Sequence, residues 1–146
     1  MSDPRPVTII MIEDDQGHAL LIEKSIRRAG VSNSIAHFDN GADALAYLGD
    51  GSALRDAGGA ALILLDLNLS DMNGVDILMH IRETPALNAV PVIVLTTTED
   101  TREMARCYDL GCNVYITKPL EYGSFANAVR QLGLFISVMQ VPEILS

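Results

Sequence analysis

Asp66 closes the apolar run Ala61-Leu62-Ile63-Leu64-Leu65, and three other strand-like runs close on residues suited to handling a phosphoryl group: Glu13-Asp14-Asp15, Thr96 and Lys118. In an open parallel α/β sheet, ligands bind beyond the carboxyl ends of the strands, so residues far apart in sequence meet in one crevice. Carboxylates gathered there repel one another and require a hard cation that accepts oxygen ligands. With a lysine and a hydroxyl beside them, the set fits a Mg²⁺-assisted phosphoryl acceptor.

Five strand patterns must position these groups. Val7 to Ile12 is short, β-branched and almost wholly apolar, as expected of a strand buried on both faces. Ser34 to Phe38, Ala61 to Leu65, Val92 to Leu95 and Asn113 to Ile116 supply the other four. Between them, Ala19, Ile22, Ile26 and Ala29 recur at helical spacing before a Gly30 stop, and Ala44, Leu45 and Leu48 follow an Asp39-Asn40-Gly41 cap. Asn73-Gly74 opens a third helix carrying Val75, Leu78 and Ile81, and Thr98-Glu99-Asp100 opens a fourth that Gly111 ends. A fifth helix begins near Glu121. The stretch from Gly49 to Gly59 reads as an unusually long loop. Alternating β/α units with right-handed crossovers imply a doubly wound, five-stranded parallel sheet, flavodoxin-like in strand order 2-1-3-4-5, with helices on both faces.

A chain of 146 residues fits one domain, and a hydrophobic content of 49% argues against disorder. Ten Lys and Arg against 19 Asp and Glu give a net charge of −9, which repels a nucleic-acid backbone or an anionic membrane. No run approaches the roughly 18 apolar residues of a spanning helix, and the amino terminus lacks a signal-peptide pattern. Cytoplasmic residence is the expectation. Cys107 and Cys112 read as packed free thiols, and His18, His37 and His80, scattered over unrelated elements, as neither ligands nor acid-base groups.

Ile12-Glu13-Asp14-Asp15, Leu65-Asp66-Leu67-Asn68-Leu69 with Gly74 downstream, Thr96 and Lys118-Pro119 stand in the order and approximate spacing of the receiver domain of two-component response regulators, which the chain resembles over nearly its whole length. The resemblance implies that Asp66 accepts a phosphoryl group from a partner histidine kinase and so becomes an aspartyl phosphate. It implies Mg²⁺ held by Asp14, Asp66 and the backbone carbonyl of Asn68, with Glu13 acting through water, and Lys118 as the companion cation. It further implies a switch running from Asp66 through Thr96 to Tyr115, read on the fourth helix, fifth strand and fifth helix, and a cis peptide bond before Pro119. Such a protein is no enzyme in the ordinary sense, although it catalyses its own phosphorylation and dephosphorylation.

Ser70 departs from the proline that many receivers carry after the acceptor, which predicts a looser loop there. Asp15 reads as shaping the pocket mouth, and Asp71 and Asp76 as loop and surface acids. Two rival readings remain: a haloacid-dehalogenase-like phosphatase, which needs an acid-base carboxylate where Asn68 stands, and a pseudo-receiver that binds partners without phosphorylation.

With no length for an output domain after the fifth helix, the expectation is a stand-alone receiver over 1–146. It is similar to the small response regulators of bacterial phytochrome histidine kinases. Residues 134–146 are apolar beyond what one helix buries against its own sheet, and predict a dimerisation arm extending the fifth helix, hence a homodimer.

Overall fold

In a computed structural model of the protein, residues 7–28, 30–56, 61–97 and 100–118 are described. The strands are β1 (Thr8–Ile12), β2 (Ile35–Phe38), β3 (Ala61–Asp66), β4 (Val92–Thr96) and β5 (Val114–Thr117). All pair in parallel in the order β2-β1-β3-β4-β5, as the alternation of elements predicts. β3 and β4 are buried along their whole length and β1 is buried from Ile9 onward, which explains why these runs are continuously apolar rather than alternating.

Successive side chains point to opposite faces, so each central strand feeds two cores. Ile9, Met11, Leu62, Leu64, Ile93 and Leu95 pack against Ala19, Ile22 and Ile26 of α1 (Gln16–Arg28). Ile10, Ile12, Ile63, Leu65, Val92 and Val94 pack on the other face against α2 (Gly41–Leu48), α3 (Ser52–Asp56), α4 (Gly74–Glu83) and α5 (Thr101–Asp109). Each fully buried Ile or Leu contributes about 1.5–3 kcal/mol relative to exposure. The helix stops fall on residues with left-handed backbone, Gly30 at φ 88° and Gly111 at φ 84°, a region that costs glycine little. Asn40, Asn73 and Asp100 cap α2, α4 and α5 with their side chains.

One expectation needs correction. The stretch after α2 is not simply loop: Ser52–Asp56 forms the short helix α3, which buries Leu54 in the main core. A single buried leucine in five residues leaves no helical periodicity to detect. The fourth helix of the sequence reading is therefore α5. The fifth helix, the 134–146 arm and Pro119 lie outside the described residues.

Two side chains tie loops to this frame without any acidic partner among the described residues. Arg82, near the end of α4, donates to the carbonyl oxygens of Val90 (2.7 Å), Asn88 (3.1 Å), Leu110 (3.0 Å) and Gly111 (2.6 Å). It thus clamps the α4–β4 connection to the α5–β5 turn. His80 bonds the Gly49 carbonyl at 2.7 Å and holds α4 to the end of α2.

Arg82→Ala strips four carbonyls of a charged donor, and its cost is expected to be about 2–3 kcal/mol in urea unfolding. Lys in its place recovers only part of this, because one ammonium cannot reproduce the planar fork. Unchanged stability in the alanine variant contradicts the clamp.

Candidate functional site

Sheet register alone brings the predicted residues together. Ile12 pairs with Leu65, which sets Glu13 level with Asp66; Asp66 pairs with Leu95, which sets Thr96 one step further; Thr96 pairs with Thr117, which sets Lys118 just past the end of β5. The backbone N–H of Lys118 donates to the Thr96 carbonyl at 2.6 Å and continues the ladder into the pocket. Glu13 (1% exposed), Asp66 (5%), Thr96 (0%) and Lys118 (3%) are the buried polar side chains among the described residues. These four buried polar side chains are therefore collected at one rim.

The amine of Lys118 donates to Glu13 Oε1 in a close contact and lies 3.4 Å from Asp66 Oδ2. Carboxylate oxygens of Glu13, Asp14 and Asp66 lie within 4.8 Å of one another. Asp66 Oδ1 accepts the Asn68 N–H at 2.9 Å. Burial first, and then the neighbouring Asp66 carboxylate, push the Glu13 carboxyl up to about 8 despite the opposing pull of Lys118. One cation does not neutralise this group of acids.

Thr96 directs its hydroxyl at Asn68 Oδ1, 2.7 Å away. Tyr115 sits half-buried on β5 with its ring centroid 6.3 Å from that of Tyr108. Burial and the nearby Glu103 raise its phenol to about 12. The two residues predicted to form a switch thus occupy adjacent strands, with Thr96 bonded to Asn68 and Tyr115 beside Tyr108 of α5.

The loop after β3 is held more firmly than its sequence suggests. Ser70 does not loosen it: the Ser70 N–H, which a proline would lack, donates to Asp14 Oδ2 at 2.7 Å. Asp71 is no idle loop acid, because its two carboxylate oxygens accept the Gly41 and Ala42 N–H groups at 2.9 Å each and cap α2 from outside. The Gly41 and Ala42 bonds hold the Asp71 pKa below the usual range. A Cβ on Gly41 would sit 2.4 Å from Met72, and one on Gly74 would sit 2.5 Å from the Asp66 carbonyl oxygen. Both glycines allow the loop to close against its neighbours.

His18 lies closer to the site than its position in the sequence suggests. Its Nδ1 lies 3.2 Å from the Lys118 amine and 3.4 Å from Glu13 Oε1, on the wall of the pocket. The signal was its place in the first turn of α1, close behind the Glu13-Asp14-Asp15 segment. His37, by contrast, bonds the Glu13 backbone carbonyl at 2.8 Å, and Asp15 caps the start of α1 by accepting the His18 N–H at 3.0 Å. Cys107 and Cys112 are free and buried, as expected.

The raised Glu13 pKa fixes a pH dependence. A carboxyl at about 8 when folded and 4.5 in its ordinary state favours folding while protonated, and that contribution is lost as pH rises through about 8. In chelator-treated protein the thermal midpoint is expected to fall between about pH 5 and pH 8.5, and more steeply than in Glu13→Gln. Parallel profiles for the two proteins remove this assignment.

Residues 9–130 match the response regulator receiver domain family. Among solved structures, a response regulator receiver domain from Rhodospirillum rubrum is 63% identical, with 90% of this chain and 94% of that one covered and a TM-score of 0.80. The phosphorylated cyanobacterial phytochrome response regulator RcpA is 31% identical over 89% of this chain and 93% of its own, with a TM-score of 0.77. Response regulator Rcp1 of Synechocystis is 30% identical over 77% of each chain, and its Mn²⁺-bound form superposes with a TM-score of 0.76. With its fold, its strand-end acids and this match over most of its length, the chain belongs to the response regulator receiver domain family.

Proposed function

We propose that the protein accepts a phosphoryl group on Asp66 from a partner histidine kinase, with Mg²⁺ in the acidic pocket, and signals through protein contacts. The observation that carries this reading is the position of the Lys118 amine, between Glu13 Oε1 and Asp66 Oδ2 at the buried rim of the sheet. An Asp66 carboxylate oxygen attacks phosphorus, the phosphorus–nitrogen bond of the phosphohistidine breaks, and an aspartyl phosphate and the freed imidazole result. The transition state is loose and spreads charge over three oxygens, so positioning and neutralisation supply most of the catalysis. Lys118 supplies part of that charge from within the protein.

The residues fit a divalent metal. Glu13 Oε2 is buried without a hydrogen-bond partner, and the surrounding donors are carboxylate oxygens. Asp14, Asp66 and the Asn68 carbonyl would hold Mg²⁺ directly and Glu13 through water, and the ion would supply charge compensation to the phosphoryl oxygens. Similarity to Rcp1, whose Mn²⁺-bound form is known, supports a divalent ion here. Thr96 and Tyr115 would relay the modified state to the face carrying α5 and β5. The phosphatase alternative loses ground with the family assignment, and the Asn68 side chain offers no carboxylate for proton transfer.

Similarity to phytochrome response regulators supports a phytochrome-type histidine kinase as donor. A cytoplasmic location accords with such a partner. The apolar 134–146 segment supports a homodimer.

Incubation with Mg²⁺ and acetyl phosphate is expected to add one phosphoryl group to the intact protein by mass, and none to Asp66→Asn. Absence of an adduct favours the pseudo-receiver, and sustained phosphate release favours a phosphatase. Light scattering is expected to give a dimer for the full chain and a monomer for a chain ending at Gly133. A monomeric full chain removes the arm from the proposal.

A further inference from the structure

We propose that the Asn68 carboxamide is a latch: it holds Thr96 and Thr97 in a resting position and competes with a phosphoryl group on Asp66 for their donors. The inference rests on the phosphoacceptor reading above and deepens it. Asn68 Oδ1 receives the Thr96 hydroxyl at 2.7 Å, the Thr97 hydroxyl at 3.0 Å and the Thr97 backbone N–H at 3.2 Å. Three donors converge on an oxygen with two lone pairs, so a single neutral acceptor gathers this whole segment.

The same residue is locked to the phosphorylation site through its backbone. Its N–H donates to Asp66 Oδ1 at 2.9 Å, and the Asn68↔Asn73 bridge with the Gly74 N–H to Leu67 carbonyl bond (2.9 Å) closes the loop behind it. Latch and acceptor carboxylate therefore keep a fixed separation. A phosphoryl group carries about −1.5 to −2 charges on strongly accepting oxygens. Bonds to such an acceptor are roughly twice as strong as those to a neutral carbonyl.

Burial makes the exchange cheap. Thr96 is fully buried, and its hydroxyl passes from one acceptor to another without meeting water. Asn68 is exposed, so its released oxygen is rehydrated and no buried group is orphaned. The latch role belongs to the side chain, whereas the proposed metal contact belongs to the backbone carbonyl, and a side-chain substitution separates the two.

The test titrates Mg²⁺-loaded protein with beryllofluoride, a non-covalent stand-in for the phosphoryl group. Asn68→Ala is expected to bind it about fivefold tighter, the worth of roughly one net hydrogen bond. Thr97→Val, which removes one donor to the same oxygen, shifts affinity the same way by a smaller factor. In the double variant the Thr97 change adds nothing further, as coupled residues require. In metal-free protein, Asn68→Ala is expected to speed hydrogen exchange at the Thr97 amide.

Equal or weaker beryllofluoride binding by Asn68→Ala, or a double variant whose effects simply add, overturns the latch. The wild-type acetyl phosphate adduct then still stands for the phosphoacceptor reading. A wild-type protein that takes up neither phosphoryl nor beryllofluoride overturns that reading and the latch with it.

Discussion

Three carboxylates and one ammonium share a pocket that is closed to most water, and the architecture answers to that electrostatic demand. Buried acids repel, and a lone buried charge costs several kcal/mol. The sheet resolves this by ending four adjacent strands at one level, so that Lys118 reaches both Glu13 and Asp66. The remaining imbalance appears as the elevated Glu13 carboxyl and its unpartnered oxygen. Such a pocket is poised to take up a cation, because binding relieves a repulsion already present in the fold.

Much of this was legible in the sequence because the central strands are buried on both faces. β1, β3 and β4 write themselves as unbroken apolar runs, and the polar residue that ends each run marks the rim. The caps at Asn40, Asn73 and Asp100 and the stops at Gly30 and Gly111 follow local rules that act within a few residues. What lay hidden were contacts between distant segments. The Ser70 N–H on Asp14 is a backbone group with no sequence signature, and it reverses the flexibility expected from the missing proline. Arg82 is a basic residue in the last turn of α4, and its value lies in carbonyls contributed by two other loops. His18 stands a hundred positions from Lys118 in sequence, and the turn from β1 into α1 carries it back over that residue.

The site also shows two kinds of polar group kept apart. Lys118, Glu13 and Asp66 are buried and held by charge, so they change only when a charge arrives or leaves. Asn68, Ser70 and Asp71 stand at the surface or near it and hold by directed hydrogen bonds. The first set can do chemistry; the second can move without a large desolvation cost.

Asp71 gives this division a reach beyond the pocket. Beyond its own Asn40 cap, α2 takes a second from the stretch that follows Asp66, with Met72 wedged against Gly41 beside it. A displacement of that stretch would therefore unseat two amides some thirty positions earlier in the chain, at the start of the helix that follows β2. Partners that touch the opening turn of α2 would feel the occupancy of a pocket they never enter.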